Sequence, residues 1–161
     1  MKLNLNGHTI RELILLYKKY NNNKIINSVI YDKKTTEEVI DFYKLYEDIQ
    51  LESNPNFDIR WIKKYKLKNI NFNILSSNRN FKIDWIKLYP HEKWNFNILS
   101  LNSNFEIEWY EQYPYENWNF ADITLNKNFK IEWITKYPDK NWCYIILFKD
   151  PNFNIKWVKK K

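Results

Sequence analysis

One interval limits the folds available to this chain: from residue 53 onward, a motif of 24 residues repeats. A phenylalanine, a tryptophan, a tyrosine, a proline and a second tryptophan each recur at that step. The columns are Phe57, Phe81, Phe105, Phe129 and Phe153; Trp61, Trp85, Trp109, Trp133 and Trp157; Tyr65, Tyr89, Tyr113 and Tyr137; Pro90, Pro114 and Pro138; and Trp94, Trp118 and Trp142. Repeats of this length are typical of solenoids, in which each unit buries an apolar face against its neighbours.

Each unit has two apolar segments separated by Tyr-Pro. In one unit, Phe81, Trp85 and Tyr89 stand four residues apart, which places three aromatic rings on one face of a helix. Pro90 ends that helix, because the residue before a proline is disfavoured in the α region. The spacing therefore predicts an all-α fold, an α-solenoid of short two-helix repeats.

The second apolar segment, residues 94–100, predicts another short helix on which Trp94, Ile98 and Leu101 lie near one another. The Asn-x-Asn that follows is expected to form the turn between units and to cap the next helix, because asparagine caps helices well and tolerates left-handed conformations. A further set of asparagines follows the second tryptophan, and we expect it to form a structural ladder between units. These residues are Asn71, Asn95 and Asn119.

A β-solenoid is the alternative fold, since Phe81, Ile83 and Trp85 alternate and aromatic residues favour strands. The adjacency of Trp85 and Ile86 breaks that alternation, and the chain has only 1 glycine for tight turns. Asp122 occupies the place that Ile98 has in its own unit, which indicates that this position is not deeply buried. The helical alternative is therefore preferred.

Residues 1–52 do not follow the repeat. Two capping boxes, Thr9-Ile-Arg-Glu12 and Thr35-Thr-Glu-Glu38, predict helices near 9–20 and 35–50, and the segment 24–31 between them is ambiguous. A stack needs a terminal unit with a polar outer face. We therefore predict a helical N-terminal cap over 1–52, then four repeats and a closing half repeat over 53–161. The first unit has Lys66 and Ile70 where others have proline and tryptophan, so we expect it to be distorted.

The repeat carries several short elements: Asn54-Pro-Asn56, Pro138-Asp-Lys140 and Trp94-Asn95. With them, the units resemble the tandem 24-residue repeats of many paralogous proteins of giant amoeba-infecting DNA viruses (mimivirus-like proteins). The resemblance covers about two thirds of the chain and leaves residues 1–52 outside. It implies a helical-repeat scaffold, but no shared biochemical activity, so no functional residues are carried over.

The formal net charge of +7 lies entirely in residues 53–161, because residues 1–52 carry equal numbers of acidic and basic side chains. No apolar run is long enough to span a bilayer, and no signal-peptide pattern is present. A single cysteine, Cys143, excludes an internal disulfide and points to a reducing compartment. We expect an intracellular protein, in the host cytoplasm or the virion, without membrane contact.

The recurring aromatic residues are expected to form the core, because a side chain that recurs in every unit fills the same space in each copy. The predicted core residues are Phe81, Trp85, Tyr89, Trp94, Phe105, Trp109, Tyr113, Trp118, Phe129, Trp133, Tyr137 and Trp142. Columns that vary between units are instead expected to face solvent and to contact partners. Candidate partner-binding residues are Arg60, Lys63, Lys64, Lys82, Lys87, Glu106, Glu111 and Lys130.

Three functions compete. The first is a non-catalytic scaffold for protein–protein interaction, virus–host or intraviral. The second is an RNA- or DNA-binding module that uses the basic ends, residues 60–68 and 156–161, although acidic residues between them would repel a continuous strand. The third is a structural or virion component that assembles by stacking into oligomers.

Catalytic motifs are missing from the sequence. His8 and His91 do not recur, and the carboxylates around Glu108 have no histidine nearby with which to form a metal site. A glycine-rich phosphate loop is impossible with one glycine. We expect neither enzymatic activity nor a cofactor or metal.

Overall fold

The computed structural model describes residue 40, residues 50–149, residue 151 and residues 153–157. The chain divides into two compact units, Met1–Ile70 and Asn71–Lys161. The helices predicted near 9–20 and 35–50, and the segment 24–31, lie outside the described residues except for Ile40, which is helical and buried, and Gln50, which is not helical. The predicted division after residue 52 stays a prediction.

Within Met1–Ile70, a 3₁₀ turn over Leu51–Ser53 precedes helix α1, Arg60–Lys64. The turn after α1 uses left-handed backbone, with φ of 54° at Lys66. The amide of Leu67 donates to the carbonyl of Ile62 at 3.0 Å and that of Lys66 to Lys63 at 3.4 Å, the paired bonds of a Schellman closure. Proline, with φ fixed near −65°, cannot adopt this geometry. The expected distortion of the first unit is therefore confirmed.

Among the described residues of Asn71–Lys161, seven short helices follow one another: α2 (Phe72–Leu75), α3 (Asp84–Leu88), α4 (Phe96–Ser100), α5 (Ile107–Gln112), α6 (Phe120–Leu125), α7 (Glu132–Lys136) and α8 (Tyr144–Leu147). A 3₁₀ turn covers Ile155–Trp157. We call α3, α5 and α7 the A helices, and α2, α4, α6 and α8 the B helices. No strand occurs among the described residues. The all-α solenoid is confirmed, and the β alternative is wrong for this part of the chain.

The helices are too short to be stable alone, since isolated helices below about 12 residues are marginal in water. Aromatic packing between units holds them. The ring of Phe81 lies 5.6 Å from Trp85 in its own A helix, 5.5 Å from Trp94 and 5.2 Å from Trp109 of the next repeat, all edge-on. Phe105 repeats the pattern one unit later. Each phenylalanine thus joins two repeats through tryptophan edges, the favoured geometry for aromatic pairs.

The B helix buries a different face from the one predicted. In α4, Phe96, Leu99 and Ser100 are buried, whereas Leu101 is 53% exposed. Trp94 lies before the helix, and its indole N–H donates to the carbonyl of Tyr89 at 2.9 Å. Trp118 and Trp142 make the same bond. The predicted grouping of Trp94 with Ile98 and Leu101 is therefore wrong, because the helix begins only after the tryptophan.

The Asn-x-Asn segments form the predicted turns and join the repeats. The buried Asn102 accepts from the amide of Asn104 at 2.9 Å through Oδ1. Its Nδ2 donates across the unit boundary to the carbonyls of Ser76 at 2.9 Å and Asn78 at 3.1 Å. Asn126 makes the equivalent bonds one repeat later. We call Asn102 and Asn126 the asparagine ladder. The expected capping of the A helices by these segments is wrong, since none of α3, α5 and α7 has a side-chain cap.

The asparagines beside the second tryptophan are helix caps rather than a ladder. Oδ1 of Asn95 accepts from the amide of Ile98 at 2.9 Å, and Asn71 and Asn119 cap their B helices likewise. A hydroxyl joins the repeats here: Ser76 Oγ donates to the carbonyl of Phe72 at 2.9 Å and accepts from the amide of Asn95 at 2.9 Å. The Asn95 side chain also crosses between repeats, donating to Asn73 at 2.6 Å.

Candidate interaction surface

The predicted core residues divide into two groups. Both tryptophan columns and two of the phenylalanines are buried: Phe81, Trp85, Trp94, Phe105, Trp109, Trp118, Trp133 and Trp142. Phe129 and the three tyrosines Tyr89, Tyr113 and Tyr137 are half-buried. Burial is the main cause that raises the pKa of each of these tyrosine hydroxyls. The core therefore stops at the tyrosine rings, whose edges reach the surface.

All eight candidate partner-binding residues are exposed. Several form local pairs within one unit. Arg60 forms an ion pair with Asp58, and the Lys87 ammonium lies 2.7 Å from an oxygen of Asp84. The Lys64 ammonium lies over the ring of Tyr65, 4.7 Å from its centroid. Exposed pairs of this kind contribute little to stability.

Glu111 is the candidate most strongly engaged within the array. The Lys136 ammonium and the Tyr137 hydroxyl, both from the next repeat, donate hydrogen bonds to its carboxylate. The bond from Lys136, followed by that from Tyr137, lowers the pKa of Glu111. This cluster therefore links two repeats at the surface.

Lys82, Glu106 and Lys130 occupy one column immediately before the A helices. A groove of about 440 Å³ lies beside two of them, with Glu106, Glu108, Asn128 and Lys130 in its lining. The charges in this groove have mixed signs. Its lining does not present the uniformly positive field that favours phosphate.

A second groove, of about 440 Å³, lies where the turns between A and B helices of two repeats meet, and the sequence did not predict it. The Lys140 ammonium lies 4.8 Å from the ring centroid of Tyr110 and 5.2 Å from that of Phe120. We call this the amide groove, after the asparagines in its lining: Asn97, Tyr110, Pro114, Glu116, Asn117, Trp118, Asn119, Phe120, Asp139, Lys140 and Asn141. One sequence signal marks it, because Tyr110 stands where other units have isoleucine.

The part of the chain that the structure describes contains no group of three or more histidine, cysteine, aspartate or glutamate side chains placed to hold a metal ion. Among the same residues, no helix has both the length and the apolar character needed to cross a membrane.

Comparisons with protein-family models, with curated proteins and with solved structures gave no match.

Proposed function

We propose that this chain is a non-catalytic scaffold that binds a protein partner through the exposed columns of its repeats. One observation carries the proposal: the aromatic residues that recur over 57–142 are buried or half-buried, whereas the column before the A helices, which changes charge between units, is exposed. The buried column Trp85, Trp109 and Trp133 keeps its identity. The exposed column of Lys82, Glu106 and Lys130 changes sign from unit to unit. A constant frame with a variable surface is how solenoids acquire specific partners.

The surface chemistry favours protein over nucleic acid as the partner. The repeat over 102–125 carries five carboxylates and no lysine or arginine. Single-stranded nucleic acid binds by stacking on exposed aromatic rings along a basic groove. Six tryptophans of the two columns are packed inside, where their rings hold the repeats together: Trp85, Trp94, Trp109, Trp118, Trp133 and Trp142. Alternating charge instead suits the charged and polar rim of a protein interface.

The resemblance to repeats of giant viruses suggests where the partner would be found. On this proposal, the partner is a host or viral protein inside the infected cell or in the virion. An array that serves as a structural component would instead bind copies of itself, and light scattering that grows with protein concentration would reveal this.

Affinity capture with the whole chain tests the proposal. The bait is incubated with lysate of the source cell, with and without nuclease treatment, and captured proteins are quantified by mass spectrometry. The charge-reversed variant Lys82→Glu/Lys130→Glu changes the variable column, and Lys127→Glu, also exposed, is the matched control. We expect a discrete set of proteins that the control retains and the double variant loses. Capture that disappears with nuclease, or that falls steeply between about 50 and 200 mM salt, would instead identify a nucleic-acid binder.

A further inference from the structure

The asparagines of Asn71–Lys161 divide sharply by whether their side chains are bonded. Those of the ladder, the helix caps and the turns each take part in a hydrogen bond. Among the described residues of this unit, three asparagines have no side-chain hydrogen bond: Asn97, Asn117 and Asn141. All three line the amide groove. The described asparagine amides of this unit that the fold does not use therefore lie on one concave surface.

One substitution explains why Asn97 is unbonded. A repeat earlier, the Nδ2 of Asn95 donates to Oδ1 of Asn73, the counterpart of Asn97. Asn119, the counterpart of Asn95, donates instead to Asp122 at 2.7 Å. Asp122 stands where the earlier unit has an isoleucine, which cannot accept that bond. Because the Asn119 side chain donates to Asp122, it does not donate to Asn97. The Asn97 side chain therefore lines the groove without that hydrogen bond.

Tyr110 adds a hydroxyl to the same surface. Its ring packs edge-on against Phe120 at 5.0 Å and Tyr137 at 5.1 Å, and the residue is 8% exposed. No described residue hydrogen-bonds its hydroxyl, and no side-chain oxygen or nitrogen in the described part of the chain is both enclosed and unsatisfied. The hydroxyl is therefore accessible to solvent, and Tyr110 is one of the residues that line the groove.

Three amides and a hydroxyl offer donors and acceptors together. A peptide main chain in extended form presents an N–H and a C=O at every residue, so it supplies a partner for both kinds of group. A sugar ring would need an exposed aromatic face on which to pack. The rings of Tyr110, Trp118 and Phe120 that line the groove are buried. The groove therefore suits a peptide main chain better than a carbohydrate.

The charged residues in the lining of the amide groove indicate which peptide side chains it would accept. The Lys140 ammonium is held over the rings of Tyr110 and Phe120. The exposed carboxylate of Glu116 lines the groove without an ion pair among the described residues. We propose that the amide groove binds an extended peptide segment of the partner protein through its main chain, with a lysine or arginine side chain beside Glu116. This inference rests on the proposed scaffold function and names the partner's chemistry.

Selection from a random peptide library displayed on phage, with the full chain as target, tests the proposal. Enriched peptides are resynthesised, and their affinity is measured by fluorescence anisotropy. We expect enrichment of sequences with a lysine or arginine. N-methylation of contacted main-chain amides should weaken binding about fivefold per position, because each methyl removes a donor. Replacing most peptide side chains with alanine should change little.

Variants of the chain locate the site. Asn117→Ala/Asn141→Ala should weaken binding about tenfold or more, since two amide contacts are lost. Gln112→Ala is the matched control, because it removes an exposed amide of α5 outside the groove. Asp122→Ile should weaken binding without itself lining the groove, because the Asn119 amide would return to Asn97. Glu116→Lys should reverse the charge preference, so that a peptide with glutamate in place of its lysine recovers affinity.

The groove proposal is overturned if no sequence is enriched, or if enriched peptides bind Asn117→Ala/Asn141→Ala as tightly as the parent. It is also overturned if an oligosaccharide or RNA probe, rather than a peptide, responds to these variants. Thermal melting of every variant, expected to match the parent, excludes unfolding as the cause. Captured partners that ignore the groove variants would refute this inference and leave the scaffold function intact, whereas absence of any captured protein would refute both.

Discussion

Replacement of Asn102 by alanine tests whether the asparagine ladder holds the repeats together. The side chain makes three hydrogen bonds: to the carbonyls of Ser76 and Asn78 in the preceding repeat, and from the amide of Asn104. The Asn78 carbonyl also accepts from the amide of Phe81 at 3.1 Å, so it keeps a partner after the change. The amide of Asn104 lies near solvent. The buried carbonyl of Ser76 is the principal group left unsatisfied.

A buried polar group that loses its partner costs about 1–3 kcal/mol, and the lost turn bond adds about 1 kcal/mol. We therefore expect Asn102→Ala to lower the free energy of unfolding by about 2–4 kcal/mol. Asn117→Ala is the matched control, since it removes the same amide from the same repeat at a position without a side-chain bond. Its expected effect is below about 0.5 kcal/mol.

Asn102→Asp tests the ladder in a second way, because its effect on stability should depend on pH. Its carboxylate would face two carbonyl oxygens, which disfavours the ionised form and raises the pKa of the new carboxyl in the folded protein. The folded state then binds more protons than the unfolded state, in which aspartate has its ordinary pKa near 3.9. The Asn102→Asp protein should therefore approach the stability of the parent in acid, below the pKa that the new carboxyl has in the unfolded state. It should lose stability relative to the parent as the pH rises through the pKa that the same carboxyl has in the folded state.

Urea denaturation followed by far-UV circular dichroism and by tryptophan fluorescence, at neutral and acid pH, measures these effects. If the repeats uncouple, the two probes should report different midpoints. A change below about 0.5 kcal/mol for Asn102→Ala, or an Asn102→Asp protein whose difference from the parent does not vary with pH, would refute the role assigned to the ladder.

Four further predictions concern single positions. Lys66→Gly should stabilise the chain by about 0.5–1 kcal/mol in urea denaturation, because glycine accepts the φ of 54° without strain, whereas Lys66→Pro should destabilise it. Cys143→Asn should stabilise by about 1 kcal/mol in the same assay, since the N-cap of α8 has no side-chain bond where the other B helices have an asparagine. Trp109→Ala should cost about 3–5 kcal/mol, measured by the urea midpoint, because the indole packs against phenylalanines of two repeats. Glu111→Gln should destabilise slightly at neutral pH but not below the folded pKa of Glu111, because a lowered pKa contributes stability only where the carboxylate is ionised; thermal melts across pH check this.

The sequence predicted the class of fold because the repeat is regular and its apolar segments have helical spacing. It did not predict where the B helices begin. In α4 the helix begins after its N-cap, Asn95. The spacing of the aromatic residues in the sequence is the same whether Trp94 lies inside the helix or just before the N-cap. Trp94 was therefore predicted to lie within the helix, although it precedes the helix.

The sequence also did not distinguish ladder asparagines from capping asparagines. Asn102 and Asn95 recur with equal regularity in their columns, so recurrence alone assigns them the same importance. Only the stacking of the repeats shows that the Asn102 side chain reaches two carbonyls of the preceding unit. The amide groove was missed for a similar reason, because the effect of Asp122 depends on the direction of the neighbouring Asn119 side chain.

The ladder joins a side-chain amide of one repeat to main-chain carbonyls of the repeat before it. Every residue type has such a carbonyl, so the hydrogen bonds of the ladder form whatever the neighbouring solvent-facing residues are. Whole units can accordingly be duplicated, exchanged or deleted in steps of 24 residues while each new boundary finds the acceptors it requires. Recombination between such arrays can therefore change the exposed side chains while the contacts between repeats are kept.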